Sequence, residues 1–91
     1  MDDKKLYALL EAVRSGSLSK AASELGYTQS GLTQMMNSLE DELGCCLLVR
    51  GYNGIKLTTA GEQLLPFIED AAASMHKARL LQRRVWLRKY P

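Results

Sequence analysis

The 91-residue chain predicts a mainly α fold: a core of three short helices, a small β-hairpin and one long terminal helix. Three observations point to it. Apolar residues recur at helical spacing in three early blocks, each followed by a glycine. Two short β-like runs flank Asn53-Gly54. From residue 64 onward, an apolar repeat alternates steps of four and three.

Each element has its own signal. Leu6, Leu9, Leu10 and Val13 form one apolar stripe, predicting a helix over 4–14 that stops at Ser15-Gly16-Ser17. Ser17 or Ser19 caps a second, short helix through Leu25, in which Ala21 and Ala22 leave room for a close neighbour. Gly26-Tyr27-Thr28 is a tight turn. Thr28 caps a third helix over 29–43, with Leu32, Met36, Leu39 and Leu43 inward and Gly44 just past its end. Residues 45–50 and 55–58 pair across Asn53-Gly54, whose residues tolerate positive φ. Thr58 or Thr59 caps the fourth helix, and Thr59-Ala60-Gly61-Glu62 fits a capping box. That helix runs from about 59 to the high 80s, with Pro66 expected to bend it. Leu64, Ile68, Ala71, Met75, Ala78, Gln82 and Val85 make the spacing of a coiled-coil seam.

Composition narrows the function classes. Hydrophobic residues make up 46% and charged residues 24%, as in an ordinary folded domain. No apolar stretch is long enough to span a bilayer and no secretory signal opens the chain, so a cytoplasmic protein is expected, with no membrane partner. Adjacent Cys45 and Cys46 imply no disulfide framework. With His76 far away, they imply no metal site and no cofactor. No phosphate-binding glycine loop, catalytic triad or paired carboxylate marks an enzyme. Gly51-Tyr52-Asn53-Gly54 has the form of an RNA-binding GxxG loop, but that loop joins two helices and this one lies between β-like runs. The run Glu40-Asp41-Glu42 reads as solvated surface.

Charge is divided along the chain. Residues 1–75 hold six basic and all ten acidic side chains, a balance of −4. Residues 76–91 hold six basic side chains and no acid. The globular part is therefore not a basic domain, and an argument for DNA must rest on placement.

Placement supplies one. Two helices joined by a short glycine-containing turn, the second with a polar outer face, form a helix-turn-helix. A major groove about 12 Å wide admits one helix, provided hydrogen-bonding side chains face outward. Gln29, Ser30, Thr33, Gln34 and Asn37 form such a face, and residues 28–38 contain no charged side chain. A solvated face usually carries Lys and Glu, so this one is better suited to contact. Gln and Asn bond an adenine edge through two atoms, worth about 1–3 kcal/mol of discrimination each. Thr28 and the open amides of the helix start suit a phosphate.

The order of these features resembles the N-terminal domain of LysR-type transcriptional regulators. The resemblance runs through GSLSKAASELGYTQSGLTQMMNSLEDELGCCLLVR and IKLTTAGEQLLP, about four-fifths of the chain. It implies a winged helix-turn-helix over 1–58, built as a three-helix core with a β-hairpin wing. A linker helix over 59–91 then pairs two subunits. By position, Gln29, Thr33 and Gln34 are expected base or phosphate contacts of the recognition helix, and with Thr28, Ser30 and Asn37 of the polar face read above they complete the expected DNA contacts. Arg50 and Lys56 support the wing's approach to the backbone or minor groove. Leu64, Ile68, Ala71, Met75, Ala78 and Val85 are the expected dimerisation residues. The implied partners are an inverted-repeat double-stranded operator and a second copy of the chain. A small-molecule effector would act only through a C-terminal domain outside these 91 residues.

The chain departs from the family pattern in several places. Ser30-Gly31 stands where proline and alanine are common, Gln34 where arginine is common, and the wing tip has fewer basic residues. The ending RRVWLRKYP is unusual for the family, and its charges suit phosphates, an acidic partner or solvent. Weaker DNA binding through amides and hydroxyls is expected. The alternative is a protein-interaction module whose long helix captures a related regulator.

Overall fold

The computed structural model describes residues 2–51 and 54–89, with the side chains of residues 86–89 outside the description. Two sequence expectations therefore lie outside the described residues. They are the Tyr52-Asn53 half of the wing turn, and most of the basic ending from residue 86 onward.

Helix α1 (Asp3–Ser15) is capped by Asp2, whose carboxylate accepts from the Lys5 amide at 3.0 Å. Helix α2 (Leu18–Leu25) starts at Ser17, whose hydroxyl accepts from the Lys20 amide at 3.2 Å, so Ser17 rather than Ser19 is the cap. Gly26 ends α2 at φ 78, and the Tyr27 amide reaches back to the Ala22 carbonyl at 2.9 Å. That left-handed step reverses the chain within three residues, and a side chain at Gly26 would strain it. Helix α3 (Gln29–Leu43) keeps the predicted bounds, with Thr28 as its cap and Gly44 at its end.

These helices enclose one core. Leu6 and Leu9 of α1, Leu32, Met36 and Leu39 of α3, and Leu47 are each under 2% exposed. Burying each such side chain contributes about 1.5–3 kcal/mol, before the entropy of ordering is counted. Ala21 and Ala22 are buried where α2 meets its neighbours, as their small size anticipated.

The hairpin pairs β1 (Leu48–Gly51) with β2 (Gly54–Leu57), antiparallel, in the register Leu48↔Leu57 and Arg50↔Ile55. Its strands start and end differently from the predicted 45–50 and 55–58, and Glu40 explains the late start. Its carboxylate accepts from the amides of Leu47 at 2.5 Å and Leu48 at 3.1 Å. The ladder therefore begins only at residue 48. The acidic run is thus not simply solvated surface: Glu40 grips the entry to the wing, and Glu42 pairs with Lys5 at 2.5 Å.

The wing is also fixed to the opposite side of the core. The Ile55 amide donates to the Gly16 carbonyl at 3.0 Å. Gly54 sits at φ 105, and a Cβ there would lie 2.3 Å from that same carbonyl oxygen. Backbone meets backbone here, so only glycine fits.

Helix α4 (Thr59–Lys89) runs unbroken through Pro66. Its cap is Thr58, whose hydroxyl oxygen accepts from the Gly61 amide at 2.9 Å and donates to the Cys46 carbonyl at 2.6 Å. The capping box framed on Thr59 is thus one residue late. A Cβ on Gly61 would lie 2.4 Å from the Leu47 carbonyl oxygen, so the helix start rests directly on the chain entering the wing.

The expected dimer seam divides in the structure. Ile68 and Ala72 belong to the buried core, and Leu64, Ala71 and Met75 pack against it. Four of the expected seam residues, Leu64, Ile68, Ala71 and Met75, thus contact the chain's own core. Only Ala78 and Val85 of the expected set are exposed. The core extends past residue 58 into α4. Beyond Met75 every residue described to 85 is exposed, and this half of the helix projects from the body. Arg79 pairs with Asp3, anchoring the point of departure.

Candidate nucleic-acid interface

The outer face of α3 stands out from this body. Gln29, Ser30, Gln34 and Asn37 are exposed, and Thr33 is half-buried on the flank. Directly beneath them lie Leu32, Met36 and Leu39, all 1% exposed or less. A face mounted on fully buried side chains cannot roll about the helix axis without opening the core.

The start of α3 is well ordered by its cap. Thr28 Oγ1 accepts from the Gly31 amide at 3.0 Å and lies 3.4 Å from the Ser30 hydroxyl. Thr28 is thus first a capping residue, with its hydroxyl proton still available to a ligand. The amides of Gln29 and Ser30 have no helical acceptors and face outward at the positive end of the helix dipole. A Cβ on Gly31 would stand 3.0 Å from the capping oxygen, a tight but one-sided contact.

The two wing residues separate. Cross-strand partners share a face of a hairpin, and successive residues alternate. Arg50 therefore shares its face with Ile55, which packs against the core, and Lys56 shares the opposite face with exposed Val49. Arg50 Nη2 donates to Asn37 Oδ1 at 3.1 Å. The guanidinium is held beside the recognition face rather than out on the wing, and Lys56 is left on the far side.

Sequence reasoning missed that Glu40, Gly54 and Gly61 place the wing, and it did not find a second apolar repeat on α4. A second stripe on α4 is Phe67, Ala71, Ser74, Ala78, Leu81 and Val85, again in steps of four and three, exposed at every position except the half-buried Ala71. Phe67 is 71% exposed, Leu81 60% and Val85 52%. Ala71, Ala78 and Val85 belong to both repeats, and Phe67 was the available clue to the second. Among the described residues, no group of three or more His, Cys, Asp or Glu side chains could hold a metal ion. None of the described helices is long and apolar enough to cross a membrane.

Comparison with known proteins agrees with this geometry. Residues 4–62 match the family model for bacterial regulatory helix-turn-helix proteins of the lysR family. The chain is 47% identical over 66 residues to the HTH-type transcriptional activator AmpR of Citrobacter freundii, covering 72% of this chain and 23% of that protein. It is 40% identical over 79 residues to the HTH-type transcriptional regulator HdfR of Salmonella newport (strain SL254), covering 87% of this chain and 28% of that protein. It thus spans about a quarter of the length of these relatives. Among solved structures, a CbnR_DBD–DNA complex superposes with a TM-score of 0.85 at 28% identity, covering 93% of this chain and 98% of that one. A BenM_DBD/catB site 1 DNA complex gives a TM-score of 0.84 at 27% identity, covering 93% and 96%.

Proposed function

Because the chain belongs to the lysR family of bacterial regulatory helix-turn-helix proteins, we propose that it binds double-stranded DNA sequence-specifically, as a dimeric transcription regulator. The observation that carries this reading is the uncharged polar face of α3, exposed outward while its apolar face is wholly buried. Gln29, Ser30, Thr33, Gln34 and Asn37 enter the major groove, with Arg50 at the edge of that face and Lys56 reserved for the backbone. The CbnR_DBD and BenM_DBD complexes with DNA support this use of the fold. The reading assigns no catalytic step.

The dimer forms through α4, on the stripe Phe67, Ala71, Ser74, Ala78, Leu81 and Val85. Charge supports a second copy as the occupant. The half of α4 from 59 to 75 holds Glu62, Glu69 and Asp70 and no Lys or Arg, whereas every charged side chain of 76–89 is basic. Two copies running antiparallel place each basic half against an acidic one. Two recognition helices related by a two-fold axis then read an inverted repeat, spaced by a multiple of one helical turn.

Selection of the purified chain against a random duplex library, at about 100 mM salt where phosphate attraction does not swamp base readout, tests the proposal. An enriched inverted repeat is expected. No enrichment from a folded dimer would favour the protein-interaction module, a reading to which the −4 balance of residues 1–75 lends weight.

A further inference from the structure

The sequence puts Asn37 among the base-reading residues, but the structure gives its side chain another task. A bidentate contact to adenine needs an acceptor and a donor: Oδ1 takes the N6 proton and Nδ2 gives one to N7. Here Oδ1 already accepts from Arg50 Nη2 at 3.1 Å. Arginine only donates, so the oxygen must face it, and Nδ2 is turned to the other side. Oδ1 keeps a second lone pair, but what Arg50 itself turns to the surface is donors only: the remaining N–H groups of its guanidinium.

The location is informative. Asn37 lies three residues after Gln34, so the two are neighbours on one helical face. The chain carries no cation anywhere in residues 28–38. Arg50 comes from β1, 13 residues away from Asn37 in sequence, and is the one cation this structure joins to that face by a described hydrogen bond. Its strand is itself fastened to α3, because Glu40 of the same helix holds the amides of Leu47 and Leu48. The helix thus controls both the strand that carries Arg50 and the direction of its guanidinium.

We propose that Asn37 is a positioning residue that holds Arg50 on the recognition face, where the outer N–H groups of the guanidinium form a donor-only site for two acceptor atoms. Such acceptors occur as O6 and N7 of a guanine edge or as backbone phosphate oxygens. The inference rests on the DNA-binding reading and specifies how one turn of α3 takes part in it.

A double-mutant cycle tests it. Binding of the wild type, Asn37→Ala, Arg50→Ala and the double variant is measured on the enriched duplex and on a mixed-sequence duplex of equal length. Each single change is expected to weaken binding to the enriched duplex about tenfold, within the range of one bidentate contact. The double variant should be no weaker than Arg50→Ala alone. Both side chains are exposed, so thermal midpoints should stay within a few degrees, which separates this role from a structural one. Additive losses, or an Asn37→Ala variant that binds as the wild type does, would overturn the proposal. A wild-type chain with no salt-dependent DNA binding would remove the DNA reading itself and this site with it. Two probes distinguish the acceptors. Loss on a duplex with 7-deazaguanine in the half-site marks a guanine edge, and loss on one with methylphosphonate linkages marks phosphates. A donor-only site requires one of the two to reduce wild-type affinity without further reducing that of Arg50→Ala. Neither doing so would overturn it.

Discussion

Helices α3 and α4 are both amphipathic, yet α3 buries its apolar stripe within the chain while the far half of α4 leaves its own in water. The polar sides differ as well. The outer face of α3 is uncharged over 28–38, and residues 76–89 of α4 are densely basic. An apolar stripe left open favours another protein surface, because only burial removes it from water. An uncharged polar face on a rigid mount favours a ligand whose edges carry hydrogen-bonding groups. Within one small chain, the two helices are suited to different kinds of partner.

The largest expected effect separates the two phases of α4. Ile68→Asp places a carboxylate at a site 6% exposed. A buried charge with no partner costs several kcal/mol, enough to unfold a domain of this size, so circular dichroism should show loss of helix. Leu81→Asp, on the projecting half, should keep the helical signal and sediment as a monomer. A folded, monomeric Ile68→Asp would restore the seam first read from the sequence.

The wing offers a second contrast within a few residues. At Gly54 a Cβ would collide with the Gly16 carbonyl oxygen, whereas at Gly51 nothing lies within 4 Å. Gly54→Ala combines left-handed strain with overpacking and should cost about 2–4 kcal/mol. Gly51→Ala should stay within about 0.5 kcal/mol. Equal thermal midpoints for the two variants would mean that the wing is not docked on the turn between α1 and α2. Glu40→Ala comes next. It leaves the Leu47 and Leu48 amides without their acceptor, for an expected loss of about 1–3 kcal/mol in denaturant unfolding. A loss no greater than that of Asp41→Ala, at the exposed neighbour, would return Glu40 to the solvated surface.

What could be read from sequence follows from the range of each signal. Thr28, Gly44 and the spacing of Leu32, Met36 and Leu39 act within a few residues, so the bounds of α3 were predicted without error. The phase of α4 was left open, because Ala71, Ala78 and Val85 fit two overlapping repeats. The choice between them depends on where α1 packs, at a distance no local pattern reports. Thr58 and Thr59 are both good caps, and the backbone of Leu47 and Cys46 selects the first. Glu40 was hidden by its acidic neighbours: a carboxylate in a charged run looks solvated until the chain returns to it. Of the candidate interface, the face of α3 was visible and the pairing of Arg50 with Asn37 was not, since it depends on hairpin register.

The smallest expected effect concerns two ion pairs of α1: Glu11 with Arg14 inside the helix, and Lys5 with Glu42 of α3. The Glu11 carboxyl is held down to about 2, first by its hydrogen bond with the Arg14 guanidinium. The Glu42 carboxyl is lowered chiefly by its hydrogen bond with Lys5. In the unfolded chain both return toward 4.5. A depressed carboxyl stabilises the fold at pH above that unfolded value, and the contribution fades as pH falls toward the folded one. Comparing thermal midpoints of the wild type and Arg14→Gln from pH 7 down to pH 2 tests the Arg14 pairs, with Glu11 in α1 and with Glu24 of α2. The gap between them should be small and constant above about pH 5, then close as the carboxyl protonates in the folded state. These pairs are surface-exposed, so the gap should also narrow in high salt. A gap that persists unchanged to pH 2 would mean that Arg14 acts through the packing of its stem rather than through its charge.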